Sequence, residues 1–187
     1  GSDAVQGDAG ADRLDGGRQD DILSGGADDD TLLGQQGNDS LSGDDGDDLL
    51  VGGEGNDTLD GGGDNSGTGT AGDIAVFSGT RDAYAIAEDP ADPTALRIVA
   101  LDGSEEDLVR NVEVLRFADG DVSVATLDAG QYIVGGDLGE TLTGTAYDDV
   151  IMGRLGNDTI EGGEGRNRLS GGDGNDSITS GSGDDVI

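Results

Sequence analysis

Aliphatic residues recur at every ninth position in two separate stretches of the chain. In the first stretch, six consecutive blocks over residues 7–60 each place a leucine at their eighth position. In the second stretch, blocks over residues 135–187 place leucine or isoleucine at the same position, and the last block is incomplete. A disordered segment has no reason to keep an aliphatic residue in fixed phase. The pattern therefore predicts a structural repeat whose neighbouring blocks stack and share a core.

Each nonapeptide divides into a glycine-rich turn and a very short strand. Glycines at positions one, two and four allow the backbone to reach positive φ, so the turn curls with its carbonyls facing inward. Positions seven to nine, such as Thr58-Leu59-Asp60, form the strand, and the middle side chain points to the opposite side from its neighbours. One buried aliphatic residue cannot hold a turn together, which again requires stacking.

The sixth position of the blocks carries an acid, with one exception. The candidate side-chain ligands at this position are Asp12, Asp21, Asp30, Asp39, Asp48, Asp57, Glu140, Asp149, Asp158, Asn167, Asp176 and Asp185. Stacked turns would bring these carboxylates close together, which is costly unless a cation lies between them. Carboxylate and carbonyl oxygens without nitrogen or sulfur form the kind of site that calcium prefers.

Composition supports a cation as the main partner. The chain has 42 acidic residues against nine basic ones, for a net charge of -33. This self-repulsion opposes a compact state and makes nucleic acid a poor partner. Histidine, lysine and cysteine are absent from the sequence, so the usual catalytic bases and nucleophiles are missing, and we expect no enzymatic activity in this segment. We also expect no membrane insertion and a monomer.

The motif Gly-Gly-x-Gly-x-Asp-x-aliphatic-x resembles the RTX, or haemolysin-type, calcium-binding repeat. The resemblance implies a β-roll in which successive nonapeptides alternate between two parallel sheets, so that turns n and n+2 stack. It also implies that each calcium ion lies between two stacked turns, bound by both sixth-position side chains and by backbone carbonyls. The implied carbonyl ligands are those of Gly16, Gly25, Ala27, Gly34, Gln36, Gly37, Gly43, Asp45, Gly46, Gly52, Glu54, Gly55, Gly153, Leu155, Gly156, Gly162, Glu164, Gly165, Gly171, Asp173 and Gly174.

The same resemblance defines which sixth-position residues should stack. The expected pairs are Asp12 with Asp30, Asp21 with Asp39, Asp30 with Asp48, Asp39 with Asp57, Glu140 with Asp158, Asp149 with Asn167, Asn167 with Asp185, and Asp158 with Asp176. These pairs predict about eight Ca²⁺ ions, within a range of roughly six to ten. Asn167 supplies a neutral oxygen, so its two sites are expected to be weaker or to recruit a neighbouring acid or water.

Residues 64–134 interrupt the period and have the composition of an ordinary β-rich segment. The predicted strands are Ile74–Phe77, Tyr84–Ala87, Leu96–Leu101, Val112–Phe117 and Val122–Leu127. Residues 112–120 resemble a block found between or beside RTX arrays in large secreted bacterial proteins, including haem-peroxidase-like ones. The preferred interpretation is a plain β spacer that caps both rolls.

These observations predict an all-β fold in which two parallel β-roll (RTX) arrays flank a small β-rich spacer domain. Residues 1–6 are assigned to a tag remnant and leader, 7–63 to the first roll, 64–134 to the intervening segment and 135–187 to a truncated second roll. The predicted function is a calcium-binding module that folds after export and stabilises a larger secreted bacterial protein. The alternatives are a structural spacer or adhesin segment of a surface protein and, less well supported, an enzyme with carboxylate chemistry.

Overall fold

The computed structural model describes residues 1–63, 72–127 and 129–187, and it is an all-β parallel roll. Contacts divide the chain into two compact units. The first unit contains residues 1–81 and 104–127, and the second contains residues 82–103 with the described part of 128–187. Among the described residues, no helix is both long and apolar enough to cross a membrane.

Seven six-residue strands form the coils of the first unit. They are β1 (Ala4–Ala9), β2 (Arg13–Arg18), β3 (Ile22–Ala27), β4 (Thr31–Gln36), β5 (Ser40–Asp45), β6 (Leu49–Glu54) and β7 (Thr58–Gly63). Odd-numbered strands pair in parallel in one sheet, and even-numbered strands pair in parallel in the other. Leu23 lies opposite Leu41, which lies opposite Leu59, so stacked residues come from turns n and n+2 as expected.

The remaining elements follow in chain order. The strands are β8 (Ile74–Val76), β9 (Tyr84–Glu88), β10 (Leu96–Ala100), β11 (Glu106–Arg110), β12 (Val114–Phe117), β13 (Gly120–Ser123), β14 (Gly130–Val134), β15 (Thr141–Thr143), β16 (Val150–Met152), β17 (Thr159–Glu161), β18 (Arg168–Ser170) and β19 (Ser177–Thr179). Short 3-10 turns cover Arg81–Ala83 and Val124–Thr126.

Non-repeat strands extend both sheets of the first unit. Strand β11 pairs in parallel with β7, and β8 pairs in parallel with β6. Strand β12 then pairs in parallel with β8, and β13 pairs antiparallel with β12. The central side chains of these strands continue the columns of buried leucines: Leu23, Leu41, Leu59 and Val109 in one sheet, and Leu14, Leu32, Leu50, Ala75 and Leu115 in the other. Full burial of each leucine contributes about 1.5–3 kcal/mol.

The second unit repeats this arrangement with shorter strands. Strands β14, β16 and β18 pair in parallel, as do β15, β17 and β19. Ile151, Ile160 and Leu169 form the buried core between these two sheets. Strands β9 and β10 form an antiparallel pair, and β9 also pairs in parallel with β14. Within this pair, the Arg97 guanidinium lies 2.6 Å from the buried Asp89 carboxylate.

Several details differ from the sequence-based expectation. Strands in the first array are twice as long as predicted, because positions one to three of the next block also pair with the coil below. The strand predicted over Val122–Leu127 was wrong in its second half, where Val124–Thr126 form a 3-10 turn. Strands β11 and β14 were not predicted. Residues 82–103 and 104–127 pack in different units. The separate spacer over 64–134 therefore stays a prediction, and its first boundary lies outside the described residues.

Candidate metal centres

The sixth-position side chains stack in a regular ladder between coils. In each step, the backbone amide of one sixth-position residue donates a hydrogen bond to a carboxylate or amide oxygen of the residue two blocks later. The Asp39 amide, for example, donates to Asp57 Oδ1 at 2.8 Å. The structure places all eight expected pairs in this contact, at distances of 2.7–2.9 Å. Stacking thus brings both side chains of every expected pair to the same place between two coils.

The second carboxylate oxygen of these residues has a different environment in the first array. Within the described residues, seven sixth-position Oδ2 atoms are buried without a hydrogen-bond partner: Asp12, Asp21, Asp30, Asp39, Asp48, Asp57 and Asp158. A buried anionic oxygen with no partner costs several kcal/mol, which favours binding of a cation there. Six of the seven belong to the first array, so its turns present one such oxygen per repeat.

Position-one glycines enclose these oxygens. A Cβ atom on Gly34 would lie closer than 3.0 Å to both Asp39 Oδ2 and the Gly52 carbonyl oxygen of the next coil. The backbone at Gly34 does not have a positive φ, unlike positions two and four, where Gly53 and Gly55 have φ of 114° and 131°. The sequence-based reason for glycine at position one was therefore wrong. Glycine is needed there for space beside the carboxylate, not for backbone conformation.

The predicted carbonyl ligands lie at positions one, three and four of the nonapeptide. Position-one carbonyls, such as those of Gly43 and Gly52, lie beside the carboxylate of the preceding coil. Three position-three carbonyls, those of Ala27, Glu54 and Asp173, accept a hydrogen bond from a position-four amide of the preceding coil. A carbonyl oxygen has two lone pairs, so these atoms retain one for a metal. In the described part of the chain, no three acidic side chains form a cluster that could hold a metal, so a candidate site has at most two carboxylates and needs carbonyl oxygens as well.

The electrostatics of these turns disfavour charged carboxylates when metal is absent. Burial raises the pKa of Asp30 and Asp39. A hydrogen bond from the stacked amide acts to lower it, but repulsion from the stacked carboxylate raises it further. The same causes raise the pKa of Asp48 and Asp57 to about 6. A divalent cation between the turns would stabilise the ionised forms, and the all-oxygen donor set fits calcium.

Comparison with known proteins supports this chemistry. The family model of the RTX calcium-binding nonapeptide repeat matches the chain in four copies, over residues 1–32, 33–67, 134–169 and 152–187, which together make up more than half of it. The chain belongs to the RTX calcium-binding repeat family. No curated protein matches it.

One solved structure similar to this chain is the extracellular lipase LipA from Serratia marcescens. The two chains are 21% identical, and the TM-score is 0.26. The match covers 91% of this chain but only 29% of the lipase. The RTX chain therefore spans less than a third of the length of that protein.

At three turns of the second RTX array, those of Glu140, Asp149 and Asn167, the protein's own donors contact oxygens of the candidate sites. The Asn167 side-chain amide donates to the Glu164 carbonyl at 3.2 Å and to the Ser180 carbonyl at 3.5 Å. In the turn that stacks on it from the previous coil, Asp149 Oδ2 accepts a 2.6 Å hydrogen bond from the Thr145 amide. Glu140 similarly accepts from the Gly136 amide at 3.3 Å. The Asp149 Oδ2 atom is thus hydrogen-bonded, whereas the corresponding atoms of the first array have no partner.

Three non-repeat acids also belong to the ladder, and the sequence-based reasoning missed them. The Asp48 amide donates to Asp73, the Asp57 amide donates to Asp107, and the Asp73 amide donates to Glu113. Each of these acids precedes an aliphatic residue by two positions, as the sixth-position acid of a nonapeptide does. That acid-x-aliphatic triplet was the available signal, but it is too short to find without the stacking register.

Proposed function

We propose that this RTX segment is a calcium-dependent folding module. Calcium binding to the folded state alone stabilises it by about 2.7 kcal/mol per site at a hundredfold excess over Kd. Several sites filled together give a steep transition from an expanded, self-repelling chain to the rolled structure. The observation that carries the proposal is the row of buried, unpartnered carboxylate oxygens along the first array.

The ions are distributed unevenly in this proposal. Four lie between stacked turns of the first array, held by the pairs Asp12/Asp30, Asp21/Asp39, Asp30/Asp48 and Asp39/Asp57. In the second array, the Asp158/Asp176 pair is the best candidate, because Asp158 keeps an unpartnered buried oxygen. The sites at Glu140 and Asp149 are weaker, because backbone amides already donate to their carboxylate oxygens, and the Asn167 sites are weaker, because its side-chain amide donates to the Glu164 carbonyl. Eight ions, as predicted from the repeat, are therefore the largest number that the expected pairs would bind.

The calcium concentration that the module needs indicates where it folds. Extracellular calcium modules bind at roughly 10⁻⁴–10⁻³ M, so such a module stays unfolded in a cytosol and folds outside the cell. We infer that the segment belongs to a larger secreted bacterial protein, exported unfolded through a type I system, and that the folded module stabilises its parent. The module itself is monomeric and non-catalytic in this proposal.

Amide hydrogen exchange with and without calcium tests the proposal. In chelator, we expect amides of strands β2 to β7 to exchange at the rate of an unfolded chain. With calcium, the first array should become protected at a lower concentration than the second. Equal protection in chelator and in calcium would show that the roll folds without metal and would contradict the proposal.

A further inference from the structure

The turn at Asp57 has an unpartnered carboxylate oxygen but no following nonapeptide to stack on it. Asp57 is 2% exposed, and its Oδ2 has no hydrogen-bond partner among the described residues. In the earlier turns of this sheet, at Asp21 and Asp39, a Cβ on the position-one glycine would contact both the corresponding oxygen and the position-one carbonyl of the next coil. The period ends at residue 60, so repeat arithmetic assigns no acid to the coil that follows Asp57.

The segment 105–110 supplies that coil in register. The Asp57 amide donates to Asp107 Oδ1 at 2.8 Å, the same contact and distance as between Asp39 and Asp57. The Leu108 amide donates to the Asp57 carbonyl at 2.8 Å, as the Thr58 amide does to the Asp39 carbonyl. Val109 stands opposite Leu59 and is buried, so Asp107-Leu108-Val109 takes positions six to eight of a repeat.

A second ladder confirms that register. The Glu106 amide donates to Asn56 Oδ1 at 2.8 Å, as the Asn56 amide does to Asn38 Oδ1 one coil earlier. Three hydrogen bonds and one buried aliphatic side chain thus place Asp107 where a sixth-position acid of the next coil would lie. Asp107 is 4% exposed, so it is buried like the sixth-position acids Asp39 and Asp57.

We propose that Asp57 and Asp107 hold a further calcium ion, which closes the first roll with an acid from outside the repeats. The inference rests on the proposed function, because it assigns to this pair the chemistry of the repeat pairs. Two buried carboxylates side by side repel each other. The amide hydrogen bond engages only one oxygen of Asp107 and leaves both negative charges in place, whereas a cation between the carboxylates would neutralise them. Glu54, Glu105 and Asp107 line one open cavity, so an ion can approach the Asp107 side of the pair from solvent.

This site would link the folding of strand β11 to calcium. Asp107 follows Asp57 by 50 residues, so an ion shared by the two closes a long loop. Without the ion, β11 would be attached to β7 by backbone pairing next to two repelling carboxylates. With it, the segment carrying β11 becomes part of the calcium-dependent unit.

The test compares the full-length chain with the Asp107→Asn variant. Asparagine keeps the acceptor for the Asp57 amide, as Asn167 does for the Asp149 amide, but removes the charge. Native mass spectrometry at saturating calcium should count one ion fewer in Asp107→Asn than in the parent chain. The control Glu88→Gln removes an exposed charge from the middle segment and should leave the count unchanged.

The outcomes separate this inference from the proposed function. An unchanged count in Asp107→Asn would overturn the inference and leave Asp107 as a structural acceptor, whereas a parent chain without bound calcium would overturn the proposed function itself. If the variant does not fold, anomalous diffraction from calcium in the parent chain decides the question. A peak between Asp57 and Asp107 supports the site, and peaks at the repeat pairs with none at this pair refute it.

Discussion

A single methyl group at Gly34 should weaken calcium binding without straining the backbone. The Cβ of Gly34→Ala would lie closer than 3.0 Å to Asp39 Oδ2 and to the Gly52 carbonyl oxygen, between two groups assigned to one site. The φ of Gly34 is not in the left-handed region, so alanine is compatible with the backbone there. Gly63→Ala is the matched control, because its Cβ has Asp45 Oδ1 as its nearest neighbour, at 3.8 Å.

The expected size of the effect follows from the steric contact. Inserting a methyl group into a filled site costs about 1–3 kcal/mol. The proposal places four ions in the first array. If these ions bind cooperatively, the free-energy cost is divided among four binding events, so the calcium concentration at the midpoint rises by roughly 1.5- to 3.5-fold. Calcium titrations followed by circular dichroism measure the midpoint for Gly34→Ala, Gly63→Ala and the parent chain. If both variants have the parent midpoint, position-one glycines do not shape the metal sites and the reasoning fails.

Three further predictions concern other parts of the chain. Acid should favour folding of the calcium-free chain. Asp48 and Asp57 have pKa values of about 6 in the folded state and 3.8 in the unfolded state, so each ionised carboxylate destabilises the roll by about 3 kcal/mol above pH 6. This destabilisation disappears well below pH 4, where both carboxylates are protonated in either state. Circular dichroism in chelator should therefore gain β-sheet signal on acidification from pH 7, and a flat pH profile would contradict this. Asn167→Asp should bind one more calcium ion by native mass spectrometry, because it removes the amide that contacts two carbonyls; an unchanged count would refute that role. Burial acts to raise the pKa of Asp89, but hydrogen bonds from two amides and from Arg97 outweigh burial and lower the pKa. Asp89→Asn should therefore reduce the free energy of unfolding by about 1–3 kcal/mol at neutral pH, and by less below the lowered pKa of Asp89. Urea unfolding in saturating calcium measures this loss, and equal stability of variant and parent would refute it.

The period of nine was enough to predict much of the fold and of the ladder. A fixed phase determines which residue is buried and, with two repeats per coil, which acids stack, so the expected pairs were all found in contact. Position-one glycine was misread because a sequence does not distinguish a need for positive φ from a need for space. Asn167 was expected to recruit a neighbouring acid or water, but the direction of its amide depends on carbonyls in two stacked turns.

Asp107 was beyond sequence reasoning for a different reason. Its role depends on a pairing across 50 residues, with an interruption in which no period can be counted. Strand β11 was missed for a related reason, since Glu105, Glu106 and Asp107 precede its apolar residues and resemble a solvated loop. The pairing of β11 with β7 is decided by the open edge of the first roll, which no local pattern reveals.

Calcium titration of the metal-free chain, followed by far-ultraviolet circular dichroism, tests whether the roll folds only when calcium is bound. We expect an unfolded spectrum in chelator and a steep gain of β-sheet signal at roughly 10⁻⁴–10⁻³ M calcium. Magnesium at the same concentration should have little effect, because it requires a smaller octahedral site and keeps its waters. A spectrum already rich in β-sheet in chelator at pH 7, and unchanged by calcium, would contradict the account.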